Sequence, residues 1–345
     1  MYRIAVLFVS VIALFISLPV LAEGHEATIA DIVVASTEGD MPEFTALLAA
    51  VSAADSSILE ALADPDAELT VFAPTDAAFA ALAEALGEEA FGEILSEAGT
   101  PRLNEILLYH VLGGVVSSAD VVAALSVAKA DDMGHVSIPV VTLSGQALDI
   151  AGAMDEDALD LAAGITVAEA NLILDMVDIE ASNGVIHVID AVIVPELRTI
   201  ADIVVELASA DEPEFTTLLT AVGAADPAVL GLLADPTAAV TVFAPVDAAF
   251  AAVEGLDDIV ADQALLTAVL QYHVLPGAVY SFQLGGLVDD MGQAAVAMAN
   301  GSEATIAVSD MGVMIDSANI LLELVDIEAS NGVIHVIDAV IVPSI

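Results

Sequence analysis

The chain repeats itself, and that constrains its fold more than any other feature. TIADIVVAS from Thr28 returns as TIADIVVEL from Thr199. DMPEFTALLAAV from Asp40 returns as DEPEFTTLLTAV from Asp211, and TVFAPTDAAFA from Thr70 returns as TVFAPVDAAFA from Thr241. All three pairs are 171 residues apart. YHVL at Tyr109 returns 163 residues later at Tyr272, and VDIEASNGVIHVIDAVIVP at Val177 to Pro195 returns unchanged, 148 residues on, at Val325 to Pro343. The shrinking spacing gives copy one 8 extra residues between Ala80 and Tyr109 and 15 more between His110 and Val177. The second insertion is expected to include the acidic stretch Met154-Asp155-Glu156-Asp157. Two domains are therefore expected, residues 23–196 and 197–345. Glu196, Leu197 and Arg198 alone join the copies, too short a tether for free motion, so the two should touch.

Within each copy, helical patterns come early and strand patterns late, which argues for α+β. Asp40-Met41-Pro42-Glu43 reads as a capping box, with Pro42 in the first turn. Phe44, Leu47, Leu48 and Val51 then fall on one helical face, as do Phe215, Leu218, Leu219 and Val222. Leu69 to Ala73 reads as a short strand ended by Pro74. Asp76 is placed to cap a helix running through Phe79, Leu82 and Leu86 to Gly87, and Asp247 to do the same for Phe250 and Val253. A further helix carries Leu103, Ile106, Leu107 and His110. Asn183-Gly184 and Asn331-Gly332 carry the type I′ hairpin signal. Val185 to Val194 is apolar on both faces and should be covered on both sides.

Charge sets what such a pair of domains can meet. The chain of 345 residues holds 53 Asp and Glu against 4 Lys and Arg, a formal charge of −49. That surface repels nucleic acid and anionic membranes, which excludes both as direct partners, and it attracts cations and basic surfaces. It also repels itself, most weakly where the Debye length is short, about 3 Å at 1 M salt, so the composition points to saline surroundings. Hydrophobic residues at 58% suffice for a core in each copy, although Trp is absent and Ala, Val, Leu and Ile must do the packing. There is no Cys, so disulfides, thiolate metal sites and thiol nucleophiles are excluded.

Met1 to Ala22 reads as a secretory signal: Arg3, an uncharged apolar run from Ile4 to Leu18, then Pro19-Val20-Leu21-Ala22 with small residues at the cleavage positions. That run is shorter than the roughly 20 residues of a membrane span. The C-terminal Val342-Pro343-Ser344-Ile345 carries no hydrophobic tail. The expected location is secreted, extracellular or periplasmic, with no stable membrane anchor.

The repeated blocks resemble those of fasciclin-domain proteins. That family carries one block near TVFAPTNxAF, here Thr70 to Phe79 and Thr241 to Phe250. It carries a second near NGxxHVID, an apolar strand and Pro, here Asn183 to Pro195 and Asn331 to Pro343. Between them stands a Tyr-His pair, here Tyr109-His110 and Tyr272-His273. All three occur in order, twice, over nearly the whole mature chain. Asp76 and Asp247 stand where the family often has Asn, Val246 replaces the Thr found at Thr75, and the acidic insertion has no counterpart. The resemblance implies tandem domains, each a compact β-sandwich or wedge with helices packed on it. It also implies extracellular adhesion to matrix proteins, glycans or cell surfaces; some members bind apolar pigments, and no catalysis is implied.

Few residues suggest a site. Tyr109, His110, Tyr272 and His273 are the binding candidates, because the family links this pair to adhesion; a packing role is equally consistent, and a helix C-terminus favours a His. His187 and His335, in apolar strands, read as buried neutral rings bonded to backbone or to Asp76 and Asp247. Asp76, Asp247, Asn183, Gly184, Asn331 and Gly332 read as structural. Asp155, Glu156, Asp157 and Asp160, with Asp131-Asp132 and Asp289-Asp290, are weak Ca²⁺ candidates, yet none has an EF-hand's spacing and a solvated acidic face explains them. No nucleophile elbow, zinc motif or phosphate loop is present, so neither catalytic residue nor cofactor is expected. The expected function is a secreted, non-catalytic adhesion module whose partners are extracellular proteins or glycans. Self-association is expected to need high salt or divalent cations. The alternative is a secreted carrier of an apolar molecule such as a carotenoid.

Overall fold

The computed structural model describes residues 27–37, 43–96, 99–131, 133–155, 158–210, 213–309 and 312–343. The expected signal segment, the cap expected of Asp40, and Asp132, Glu156 and Asp157 lie outside the described residues. Copy one begins with helices α1 (Ile29–Ser36), α2 (Thr45–Ala53) and α3 (Ser56–Ala63). Strand β1 (Leu69–Pro74) follows, then α4 (Asp76–Leu86), α5 (Glu88–Ile94), α6 (Thr100–Tyr109), β2 (Val111–Gly113) and α7 (Ser118–Val127). The strands β3 (His135–Val141), β4 (Ala147–Asp155), β5 (Ala158–Leu159), β6 (Ile165–Val167), β7 (Ala170–Asn171), β8 (Ile179–Ala181) and β9 (Gly184–Ile189) complete it.

Copy two repeats the order with α8 (Ile200–Leu207), α9 (Thr216–Ala224), α10 (Pro227–Ala234), β10 (Val240–Pro245), α11 (Asp247–Ala251), α12 (Leu256–Ala261) and α13 (Gln263–Tyr272). It continues with β11 (Val274–Pro276), α14 (Ser281–Leu287), β12 (Gln293–Ala297), β13 (Glu303–Ser309), β14 (Gly312–Ile315), β15 (Ala318–Asn319), β16 (Ile327–Ala329) and β17 (Gly332–Ile337). The first insertion lengthens α4 and α5 relative to α11 and α12. The second lengthens α7 and β3 and adds β5 next to the acidic stretch.

Each copy has two open sheets, ordered β2-β1-β9-β8 and β3-β4-β6-β7 in copy one, and β11-β10-β17-β16 and β12-β13-β14-β15 in copy two. The two signature blocks become neighbours: β1 runs parallel to β9 from Leu69 opposite Gly184 to Pro74 opposite Ile189. Strand alternation then divides the core. Val71, Ala73, Ile186 and Val188 face the helical layer with Ile29, Phe44, Leu47, Leu103 and Leu107. Phe72 and Ile189 face the second sheet, with Leu125, Leu148, Ile150 and Val167. The result is α+β: a sheet with helices on one face and a second sheet and α7 on the other. Among the described residues no helix is long and apolar enough to cross a membrane.

Four local readings need correction. Phe44 does not sit inside the helix; it precedes α2 in the left-handed region at φ 61°, as Phe215 does at φ 65°. Thr75, not Asp76, caps α4 by accepting the Ala78 N–H at 3.1 Å. Val246 supplies no such bond, and α11 stops at Ala251, short of Val253. The strand that begins at Gly184 ends at Ile189, because Asp190 turns out to solvent and its carboxylate accepts from Asn171 N and Nδ2 at 2.7 and 2.8 Å.

The last correction is the hairpin. Ala181 pairs with Gly184, so the turn residues are Ser182 and Asn183 rather than Asn183-Gly184. Gly184 is required for another reason: a Cβ there would stand 2.0 Å from the Leu69 carbonyl oxygen, and one on Gly332 would stand 1.8 Å from that of Val240. The glycine lets two parallel strands begin side by side.

Candidate functional site

The motif side chains converge on backbone groups. Asn183 is 1% exposed. Its Oδ1 accepts the Ile29 N–H at 2.9 Å, and its Nδ2 donates to the Leu62 and Asp64 carbonyls at 3.0 and 2.9 Å. One amide thus ties the start of α1 and the end of α3 to the β8–β9 turn, and Asn331 does the same with Ile200, Leu233 and Asp235. The Thr70 hydroxyl donates to Gly114 O at 2.8 Å and accepts from Val116 N at 2.8 Å, which fixes the chain after β2. Threonine at this point of the first block was not singled out from sequence. Its burial inside an apolar strand was the available signal.

Glu43 and Asp76 form a relay between helices. Glu43 Oε1 accepts the Asp76 N–H at 2.9 Å, and Asp76 Oδ1 accepts the Ala46 N–H at 2.8 Å. Asp76 therefore caps α2, not its own helix. Glu214 and Asp247 repeat this for α9, at 2.8 Å in both bonds. Burial works against the Asp247 carboxylate, but hydrogen bonds from Thr216 and Thr217 outweigh it and hold its pKa low.

The histidines use both ring nitrogens. His187 lies in β9 with Nε2 2.8 Å from the Val116 carbonyl, while its Nδ1 accepts the Asp178 N–H at 3.2 Å. Its acidic neighbour is Asp178, 4.0 Å away, and for His335 it is Asp326 at 3.7 Å; neither is Asp76 or Asp247. Burial holds His335 below the ordinary histidine range.

The Tyr-His pair is also internal. Tyr109 and His110 are 6% and 3% exposed, Tyr272 and His273 each 4% and 3%. His110 Nδ1 lies 2.7 Å from Ile106 O, and Nε2 accepts the Ile193 N–H at 3.2 Å. His273 makes the same bonds to Val269 and Ile341. Burial lowers both histidines to about 4. The Tyr109 hydroxyl donates to Ala147 O at 2.8 Å, joining α6 to the second sheet, and burial pushes its pKa well up. Tyr272 spans the same gap to Glu303 O at 2.9 Å and also meets Asp316 at 2.8 Å; burial and Asp316 push it up to about 12.

The acidic groups do not converge. Asp131 Oδ1 accepts from Met133 N and His135 N, both at 2.8 Å, and Asp289 does the same for Met291 and Gln293. Asp160 closes its own turn on Ala162 N at 3.0 Å. Among the described residues no three metal-ligating side chains form a group able to hold an ion.

What the sequence left unread is the joint between the copies. The β3–β4 hairpin of copy one inserts its tip against copy two. Ala147 N donates to the Tyr280 hydroxyl at 2.9 Å and to Glu328 Oε1 at 3.1 Å. Gln146, 2% exposed, donates from Nε2 to Glu105 Oε1 and Glu196 O, both at 2.9 Å, and its Oε1 accepts the Glu196 N–H at 2.9 Å. Burial pushes Glu105 up to about 7, with Glu196 adding to it; burial also pushes Glu328 up to about 7, against the Ala147 hydrogen bond. The available signal was difference between the copies: Glu105, Gln146 and Tyr280 match Ala268, Ser302 and Ser117.

The fasciclin domain family matches residues 42–195 and 213–343. Human periostin is 30% identical over 310 residues, which cover 89% of this chain but only 30% of periostin. The Synechocystis protein sll1483 is 36% identical over 154 residues, 45% of this chain and 68% of that protein. A second Synechocystis protein, sll1735, is 37% identical over 150 residues, 44% of this chain and 88% of that one. Among solved structures, a FAS1 domain pair from the insect cell adhesion molecule fasciclin I aligns over 87% of this chain and 96% of that chain, with 16% identity and a TM-score of 0.36.

Proposed function

The chain belongs to the fasciclin-domain family, and from that premise we propose that it is a secreted, non-catalytic adhesion module with two binding domains, suited to saline surroundings. One observation carries this reading. The motif side chains able to do chemistry, in both copies, are spent on backbone groups inside the fold. His110 and His273 line small apolar cavities, but both ring nitrogens of each are already bonded to backbone. What faces outward is a rigid framework with an acidic surface, and its partners are extracellular proteins or glycans. Two linked weak sites gain affinity through effective concentration.

Adhesion therefore falls to surface loops and sheet edges and not to Tyr109, His110, Tyr272 or His273. Beads coated with residues 23–345 test the reading. Coated beads should adhere to one another or to glycan-bearing surfaces increasingly as salt screens their acidic charge, and to basic surfaces less as the same screening weakens that attraction. Beads that stay dispersed on every surface, from a chain that hydrolyses ester or glycoside probes, would overturn it.

A carrier function stands second, and it too has an observation behind it. Phe72, Val121, Ile150, Leu172, Val177 and His187 line a mostly apolar cavity of about 200 Å³ in copy one. Ligand pockets generally measure about 300–1,000 Å³, so an extended polyene would need the cavity to open further. A visible absorption band that purifies with the native protein would put this reading first.

A further inference from the structure

The joint uses one half of each copy and leaves the matching halves free. Copy one contributes its hairpin tip, Gly145 to Ala147. Copy two contributes the face formed by Tyr280 and Glu328, with Glu328 on the sheet-edge strand β16. Each element has a counterpart. The tip matches Gly301 to Glu303: Tyr272 bonds Glu303 O as Tyr109 bonds Ala147 O. The receiving face matches Ser117 and Glu180, with Glu180 on the edge strand β8; Ser281 bonds Asp326 as Ser118 bonds Asp178.

Both counterparts lie open. Gly301, Glu303 and Glu180 are exposed, whereas Gln146 and Tyr280 are 2% and 1% exposed. At Ser117 the face opens into a groove of about 550 Å³, lined also by Val115, Asp178, Glu180 and Gly184.

We propose that this groove receives the free β12–β13 hairpin of a second copy of the chain, so that the internal joint is repeated between molecules, head to tail. The inference deepens the adhesion reading, and rests on it only in making self-contact useful. Its basis is continuity with an interface the molecule already makes. Residue sizes exchange in a compensating way: the joint sets small Ala147 against large Tyr280, and the free halves set Glu303 against Ser117. The occupied joint already gathers Glu105, Asp149, Glu196, Asp326 and Glu328 around the single cation Arg198, so acids do crowd such a contact, and the proposed one collects Glu68, Asp178, Glu180, Glu303 and Asp316 with no cation among them. It also lacks the tether and the Gln146 clamp, so its carboxylates must be screened before it forms. A head-to-tail contact leaves an unused hairpin at one end and an unused groove at the other, so molecules add in series, as an open chain or as a ring where the rotation between neighbours closes.

Sedimentation velocity on residues 23–345, from about 0.1 to about 3 M NaCl, tests this. Wild-type protein should pass from monomer to a ladder of sizes as salt rises. Glu180→Arg or Glu303→Arg should each lower the salt needed for half-association by about threefold, since one cation then faces the opposing acids. The double variant should gain less than the two single variants together, because its two cations then oppose each other. Glu60→Arg changes net charge equally at an exposed site in α3 and should leave the midpoint in place. All these sites are exposed, and thermal melts verify that the variants fold. A monomer at every salt, an equal effect of Glu60→Arg, or single-variant effects that add in full in the double variant would each overturn the head-to-tail contact. If coated beads then still adhere to other surfaces, the adhesion reading survives without it.

Discussion

Asp76 caps a helix that begins 31 residues before it: its Oδ1 accepts the Ala46 N–H at 2.8 Å and its Oδ2 accepts from Thr45 Oγ1 at 2.5 Å. The first signature block thereby holds the helical layer against β1. Asp76→Ala removes both acceptors and should lower stability by about 1–2 kcal/mol, the usual loss for an N-cap. Asp76→Asn keeps one acceptor for Ala46 and should lose less than half of that. Chemical denaturation at pH 7 measures both, and Asp247→Ala should match Asp76→Ala.

Gly184→Ala is expected to be the most damaging single methyl in copy one. The new Cβ meets the Leu69 carbonyl at 2.0 Å, and backbone cannot yield as a side-chain tip can. The parallel pairing of β1 with β9 should open, at a cost of about 3 kcal/mol or more. Gly145→Ala is the comparison: nothing lies within 4 Å of its Cβ, and its strain comes from φ +87° alone. A thermal midpoint that falls no further for Gly184→Ala than for Gly145→Ala would contradict the close approach.

The joint should tighten in acid. Glu105 and Glu328 have folded values near 7 against 4.5 when free, so each binds a proton more readily with the joint closed. A raised folded value stabilises fully below pH 4.5, and the contribution is lost as pH climbs through about 7. Fluorescence transfer between labels on the two copies should report a narrower distance distribution at pH 5 than at pH 8. Glu105→Gln with Glu328→Gln should flatten that dependence, and Gln146→Ala should broaden the distribution at both values.

The fold itself should respond in the opposite sense. His110 and His273 sit near 4 when folded and 6.5 when free, so the unfolded chain binds more protons between those values. Stability should fall as pH drops from 6.5 toward 4, by about 1–3 kcal/mol per histidine. Aspartates held low, such as Asp120 and Asp202, add their loss only below their ordinary 3.8. Denaturant midpoints of the separate joint variants would keep the two effects apart, because only the histidine effect survives Glu105→Gln and Glu328→Gln.

The repeat, the α+β class and the strand at Leu69 were legible because they rest on local pattern: periodic apolar residues, Pro74, and Gly87 at the end of α4. The misreadings share a cause. Asp76 and Asn183 have the side chains of local caps and turns, and sequence shows only the nearest backbone they could bond. Their actual partners lie 30 and up to 154 residues away. The joint was illegible for a different reason. Three of its residues, Glu105, Gln146 and Tyr280, stand where the copies differ, and a repeat draws attention to what they share.

Whether the motif residues serve the interior or a partner is decided most directly by the nitrogen-15 NMR shifts of the six histidines, followed from pH 8 to pH 4. His110 and His273 should carry the proton on Nδ1 and stay uncharged until about pH 4, and His187 and His335 should carry a proton on Nε2, which faces a backbone carbonyl. His110 and His273 titrating near 6.5, with both tautomers averaged, would place the Tyr-His pair in contact with solvent and return it to the candidates for binding.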